Sequence, residues 1–98
     1  SLARELGPLG VRVNAVCPGP IRGTGMSAPI EQNAPAAYDA IRRAVPLRRW
    51  AEADEIAAVI EFLASPNASF VSGVALPVDG AAVAGSGLTV LLEHQEHT

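Results

Sequence analysis

Val11-Arg12-Val13-Asn14-Ala15-Val16-Cys17-Pro18-Gly19-Pro20 is the stretch on which the fold turns. Val11, Val13, Ala15 and Cys17 alternate with Arg12, Asn14 and Val16, a period of two that predicts a strand over residues 11–17. Both faces are fairly apolar near its end, as in a strand buried in a parallel sheet. Pro18-Gly19-Pro20 stops it, because two prolines cannot donate to a ladder.

Upstream, Ser-Leu-Ala-Arg-Glu-Leu (residues 1–6) consists of good helix formers, with Leu2, Ala3 and Leu6 on one face. Gly7-Pro8 is expected to end this helix, glycine by taking a left-handed C′ position and proline by refusing the next turn. Downstream, residues 22–33 are rich in Gly, Ser, Ala and Pro and read as a mobile loop. A helix is expected over residues 35–44, ended by Pro46. The clearest helix runs over residues 53–64, where Ile56, Val59, Ile60 and Leu63 form one apolar stripe. Glu52, Asp54 and Glu55 stand at its start, where the helix dipole favours negative charge. Residues 74–78 form a second strand, closed by the turn pair Asp79-Gly80. After Gly85 no clear pattern remains.

Composition limits the function. The chain has 98 residues, 49% of them hydrophobic and 17% charged, which is a globular balance and about one small domain. A net charge of −3 offers no basic footprint for nucleic acid. All seven basic residues are arginine, so no lysine relay or Schiff base is available from within. Cys17 is the single cysteine, which excludes an internal disulfide and fits a cytoplasmic placement. No apolar run approaches the ~20 residues of a membrane helix. The chain opens on Ser1, already in helical pattern, and its one methionine is Met26, so a fragment is expected.

Strand, Pro-Gly loop, helix and strand make half of a nucleotide-binding α/β unit. The wording at each station resembles the short-chain dehydrogenase/reductase family. Leu2-Ala3-Arg4-Glu5-Leu6-Gly7 is similar to the end of that family's catalytic helix, and residues 11–21 to its sixth strand and following loop. Pro46-Leu47-Arg48-Arg49, Asp54-Glu55-Ile56-Ala57 and Phe62-Leu63-Ala64-Ser65 resemble the next helix and its approach. Gly73 to Gly80 resembles the last strand. The likeness covers residues 1–82 in unbroken order, with residues 83–98 left as a poorly ordered tail.

The resemblance implies a fold and a role. The fold is α/β, the C-terminal part of a Rossmann-like doubly wound parallel sheet with two strands plus helices, incomplete as an isolated fold. Pro18 and Gly19 would shape a wall against the nicotinamide end of NAD or NADP, and Ile21 would offer its backbone to the carboxamide. The family's threonine contact falls to Thr24, one position later than usual, with Gly23 standing in its place. The catalytic serine, tyrosine and lysine and the glycine-rich loop have no counterpart among these residues, so no catalytic residue is assigned. The implied activity is interconversion of an alcohol and a carbonyl by hydride transfer. These residues would supply the nicotinamide wall, a substrate lid and subunit contacts, and the isolated chain would be inactive. Implied partners are a small-molecule alcohol or carbonyl substrate and related subunits in a homo-oligomer, with no nucleic acid and no membrane. The alternative is a non-catalytic truncated fragment or an interaction module docking on an intact related subunit.

Four features carry plainer readings. Tyr38 and Arg42 have Tyr-x-x-x-basic spacing, but arginine stays charged and cannot relay protons, so a surface or lid helix is expected. Cys17 is expected to be buried packing at the strand end. Trp50 is expected under the following helix with its N–H satisfied, or at a subunit contact. Glu93, His94, Glu96 and His97 miss the metalloprotease spacing and read as a solvated tail, so no metal is assigned.

Overall fold

The computed structural model describes residues 1–84. Helix α1 (Leu2–Leu6) is capped by Ser1, whose hydroxyl accepts from the Arg4 N–H at 3.4 Å. Gly7 does not end it in a left-handed turn: its φ is −52°, and one 3₁₀ turn continues over Gly7–Leu9. Proline fits the first turn of such a helix, where its missing N–H has no acceptor to lose. The left-handed residue is Gly10, at φ +79°.

Strands β1 (Ala15–Pro18) and β2 (Ala75–Val78) pair in parallel, with Ala15 opposite Ala75 and Pro18 opposite Val78. The strand expected from Val11 therefore begins later, because side chains do the work of the ladder there. The Val74 N–H donates to Asn14 Oδ1 at 3.1 Å, Asn14 Nδ2 donates to the Val71 carbonyl at 3.0 Å, and the Val13 N–H donates to Ser72 Oγ at 3.1 Å. The strand also runs one residue further than expected, through Pro18. After it the Gly19 N–H still reaches the Val78 carbonyl at 3.0 Å.

Two short helices follow β1: α2 (Ala28–Asn33) and α3 (Pro35–Ala44). The loop expected over residues 22–33 thus closes into α2. Pro29 sits in the first turn of α2, where proline is tolerated, so the breaker in the sequence serves as a starter. Helix α3 has the bounds read from the sequence, and Val45 ahead of Pro46 is extended, as the proline ring requires.

Helix α4 (Ala53–Ala64) carries a capping box between Glu52 and Glu55. Ile56 and Leu63 are buried and Val59 is half-buried, but Ile60 is 52% exposed. The apolar stripe is wider than the two-stranded sheet it lies on. At the other end of α4, the Arg12 guanidinium donates to the Leu63, Val71 and Ser65 carbonyls at 2.7, 3.2 and 3.4 Å. It thereby neutralises carbonyls that a helix C-terminus leaves unpaired. Arg12 and Asn14 ahead of β1, and Val16 within it, face Ile60, Leu63 and Ala64 of α4 across a shared hollow. Ala15 and Cys17 lie on the opposite face, and Cys17 is exposed rather than buried. The rest of the core is Val45, Trp50 and Ala68, with Ser27 beside it. Among the described residues no helix is long and apolar enough to cross a membrane.

Candidate functional site

Pro18, Gly19, Ile21 and Thr24 follow one another around the carboxyl end of β1, the end at which open α/β sheets bind ligands. Gly19 is required there for a steric reason. A Cβ on it would lie 2.8 Å from the Asp79 Cα, so only glycine lets the ends of β1 and β2 approach this closely. Asp79 in turn closes the turn after β2, accepting from the Ala81 N–H at 3.0 Å and the Val83 N–H at 3.2 Å.

Beyond Gly19 the chain is pinned by a residue that sequence reasoning did not single out, Ala51. Ile21 and Ala51 form a parallel bridge: the Ala51 N–H donates to the Pro20 carbonyl at 2.8 Å, and the Arg22 N–H donates to the Ala51 carbonyl at 3.0 Å. In a parallel bridge, the residue whose two neighbours make the bonds has its own N–H and C=O turned to the other side. Ile21 is that residue. It presents one donor and one acceptor, side by side, away from Ala51.

Thr24 faces a different task. Its hydroxyl lies 2.9 Å from Ser27 Oγ and accepts from the Ser27 N–H at 3.1 Å, while its own N–H donates to Ser27 Oγ at 2.9 Å. With the Ala28 N–H on the Thr24 carbonyl at 2.9 Å, this knot starts α2. Thr24 thus organises the start of α2.

Arg22 is the second residue missed by the sequence reading. Its guanidinium pairs with Glu31 on α2 at 2.9 Å and with Glu52 at the start of α4 at 3.1 Å. These carboxylates, with Tyr38 nearby, hold its pKa above the ordinary arginine value. Nothing in the spacing of residues 22, 31 and 52 marks them as neighbours. The Tyr38 ring stacks on Trp50 at 4.6 Å with an interplanar angle of 7°. Arg42 pairs with Asp39 at 2.7 Å and holds that carboxyl below its usual range. Trp50 is buried, and its indole N–H donates to the Tyr38 carbonyl at 3.0 Å, so it is anchored to the preceding helix α3 rather than packed under the following one.

A cleft of about 500 Å³ adjoins the loop on its β2 side, lined among others by Gly19, Pro20, Leu47, Arg49, Ala51 and Asp79. Arg49 grips both oxygens of Glu55, at 2.6 and 2.7 Å, on its wall. Neither Pro18, Ile21 nor Thr24 lines it. No group of three or more His, Cys, Asp or Glu side chains is placed to hold a metal among the described residues, and His94 and His97 lie outside them.

The comparisons with known proteins agree with this geometry. A family model described as enoyl-(acyl carrier protein) reductase matches residues 1–81. The chain is 49% identical over 80 residues to a short-chain type dehydrogenase/reductase of Sinorhizobium fredii, covering 82% of this chain and 14% of that protein. It is 41% identical over 87 residues to meso-2,3-butanediol dehydrogenase of Serratia marcescens, covering 89% of this chain and 33% of that one. Among solved structures it is similar to 4-hydroxyisoleucine dehydrogenase complexed with NADH, with TM-score 0.78, 33% identity and coverage of 87% and 34%. It is also similar to a blue fluorescent protein from a metagenomic library in complex with NADPH, with TM-score 0.72, 35% identity and coverage of 85% and 32%. The chain spans about a third or less of the length of the curated relatives it matches. Strand, Pro-Gly loop, crossover helix and parallel strand, matched in order over residues 1–81, make this chain a member of the short-chain dehydrogenase/reductase family.

Proposed function

We propose that these residues are the C-terminal portion of an NAD(P)-dependent oxidoreductase that interconverts an alcohol and a carbonyl by hydride transfer. The observation that carries the reading is the Ile21–Ala51 bridge. It leaves the Ile21 N–H and C=O paired side by side at the carboxyl end of β1, which is what a flat carboxamide needs from a protein wall. Pro18 and Gly19 fix the course of the loop into that bridge. When bound, the nicotinamide supplies or accepts the hydride. The residues of this chain hold the ring's amide, and α2 and α3 cover the substrate. The similar structures holding NADH and NADPH support a nicotinamide cofactor of either kind.

The chain alone is inactive in this reading, since a tyrosine and lysine for proton transfer and a glycine-rich phosphate loop have no counterpart in it. A chimera tests the assignment. Residues 1–84 replace the matching third of the Serratia butanediol dehydrogenase, and turnover is followed with NADH and NADPH. Retained cofactor-dependent carbonyl reduction supports the reading. A folded chimera that binds neither nucleotide sinks it. Saturable micromolar binding of either nucleotide by the isolated chain contradicts an incomplete cofactor pocket.

One observation favours the interaction-module alternative: Phe70 is fully exposed, and Phe62 and Ile60 are about half exposed. Such side chains mark a contact surface when they adjoin. Co-elution of the chain with an intact related subunit supports this alternative, and separate elution removes it.

A further inference from the structure

Arg22 stands between the loop and the lid. Its backbone N–H makes one of the two bonds of the Ile21–Ala51 bridge, and its side chain reaches Glu31 on α2 and Glu52 at the cap of α4. The two carboxylates stand 21 positions apart in the chain, and one guanidinium joins them. Only a planar fork does this in fixed geometry. Lysine, a point charge, would satisfy one carboxylate at a time.

The stability these pairs add is small, because both are exposed and screened. Their consequence is linkage. Helix α2 has six residues and no buried side chain of its own, so its first-turn knot, its contact with α3 and this pair are what hold it. We propose that Arg22 is a positioning residue that couples the lid to the carboxamide wall, so that the placement of α2 and the placement of Ile21 change together. The proposal rests on the reading of Ile21 given above. A displaced α2 pulls Arg22 off the bridge and disturbs the donor–acceptor pair one residue away. A seated α2 fixes it.

Hydrogen exchange on the full chain, without nucleotide, tests the coupling through three variants. Glu31→Gln, a change confined to the lid, is expected to speed exchange of the α2 amides about threefold to tenfold and that of the Arg22 and Ala51 amides with them. Arg22→Met should do the same, and Arg22→Lys should fall between Arg22→Met and the parent. The ladder amides of Ala15 and Gly19 should not change in any of them. Faster exchange in α2 with Arg22 and Ala51 unaffected would overturn the proposal, as would no change anywhere. A uniform acceleration that includes Ala15 and Gly19 also overturns it, since Arg22 would then be an ordinary stabilising residue. Nucleotide is absent from the measurement, so failure of the cofactor reading appears separately, in the chimera.

Discussion

Gly19 and Asp79 meet backbone to backbone across the carboxyl ends of the two parallel strands, with 2.8 Å between the Asp79 Cα and the place where a Gly19 side chain would begin. Asp79 is itself locked by the two N–H groups its carboxylate accepts, so it cannot yield as a flexible side-chain tip would. Gly19→Ala is therefore expected to destabilise the chain by about 1–3 kcal/mol, the usual cost of forced overpacking. Denaturant unfolding followed by circular dichroism measures it. A neutral effect would mean that the strand ends are not held together.

Arg48 is one of two non-glycine residues at positive φ among those described, at +61°, with Ala81 at +76°. Arg48→Gly should raise stability by about 0.5–1 kcal/mol, because glycine takes this conformation without the Cβ penalty. The Arg48 guanidinium also donates to the Arg43 carbonyl, a bond that glycine gives up and alanine gives up equally. The glycine variant should accordingly melt above the alanine variant, and the comparison isolates the backbone. Equal melting temperatures would refute the strain.

Glu55 supplies the pH dependence. The Arg49 fork, and then the Glu52 N–H, hold its pKa at about 2 against an ordinary 4.5. A carboxylate with a depressed folded pKa stabilises above the unfolded value and loses that contribution as pH falls. The advantage of the parent over Glu55→Gln should thus be full above pH 4.5 and fade toward pH 2. Glutamine keeps an oxygen for the capping bond, so the difference reports charge. An advantage independent of pH would rule out the ion pair as its source.

Arg12 is half-buried and binds three carbonyls, those of Leu63 and Ser65 at the end of α4 and that of Val71 beyond it. Arg12→Ala is expected to cost about 1.5–3 kcal/mol, as for hydrogen bonds to a charged group whose partners are left unpaired. Exchange of amides in the last turn of α4 should accelerate first. A loss confined to residues far from Leu63 would argue against capping.

The sequence makes the helices legible where periodicity and breakers agree. Helices α3 and α4 have the bounds their apolar spacing and flanking prolines dictate, because those signals act within a few residues. Signals that depend on distant partners misled. Val11–Asn14 alternates like a strand, yet Asn14 and Ser72 side chains take part of the ladder there, beside the one backbone bond from the Gly73 N–H to the Val13 carbonyl. Cys17 looked like core, but the face it shares with Ala15 is exposed. The Pro-Gly loop marks the carboxyl end of β1 in the sequence, whereas Ala51, which fixes the orientation of Ile21, carries no mark in sequence at all. A methyl side chain chosen for its backbone's position is invisible to pattern reading. Helix α2 is hidden because the Gly, Ser, Ala and Pro content of residues 22–33 reads as loop, whereas Pro29 occupies a first helical turn.

The bridge between Ile21 and Ala51 has a last consequence for how this segment can vary. The intervening residues, 22–50, leave the body of the protein and rejoin it at adjacent points, already sewn together by two backbone hydrogen bonds. Closing a loop on itself costs only logarithmically more as it lengthens. Helices α2 and α3 are thus a cassette closed at its root, one whose length can vary so long as Glu31 keeps its hold on Arg22 and, through it, on the bridge.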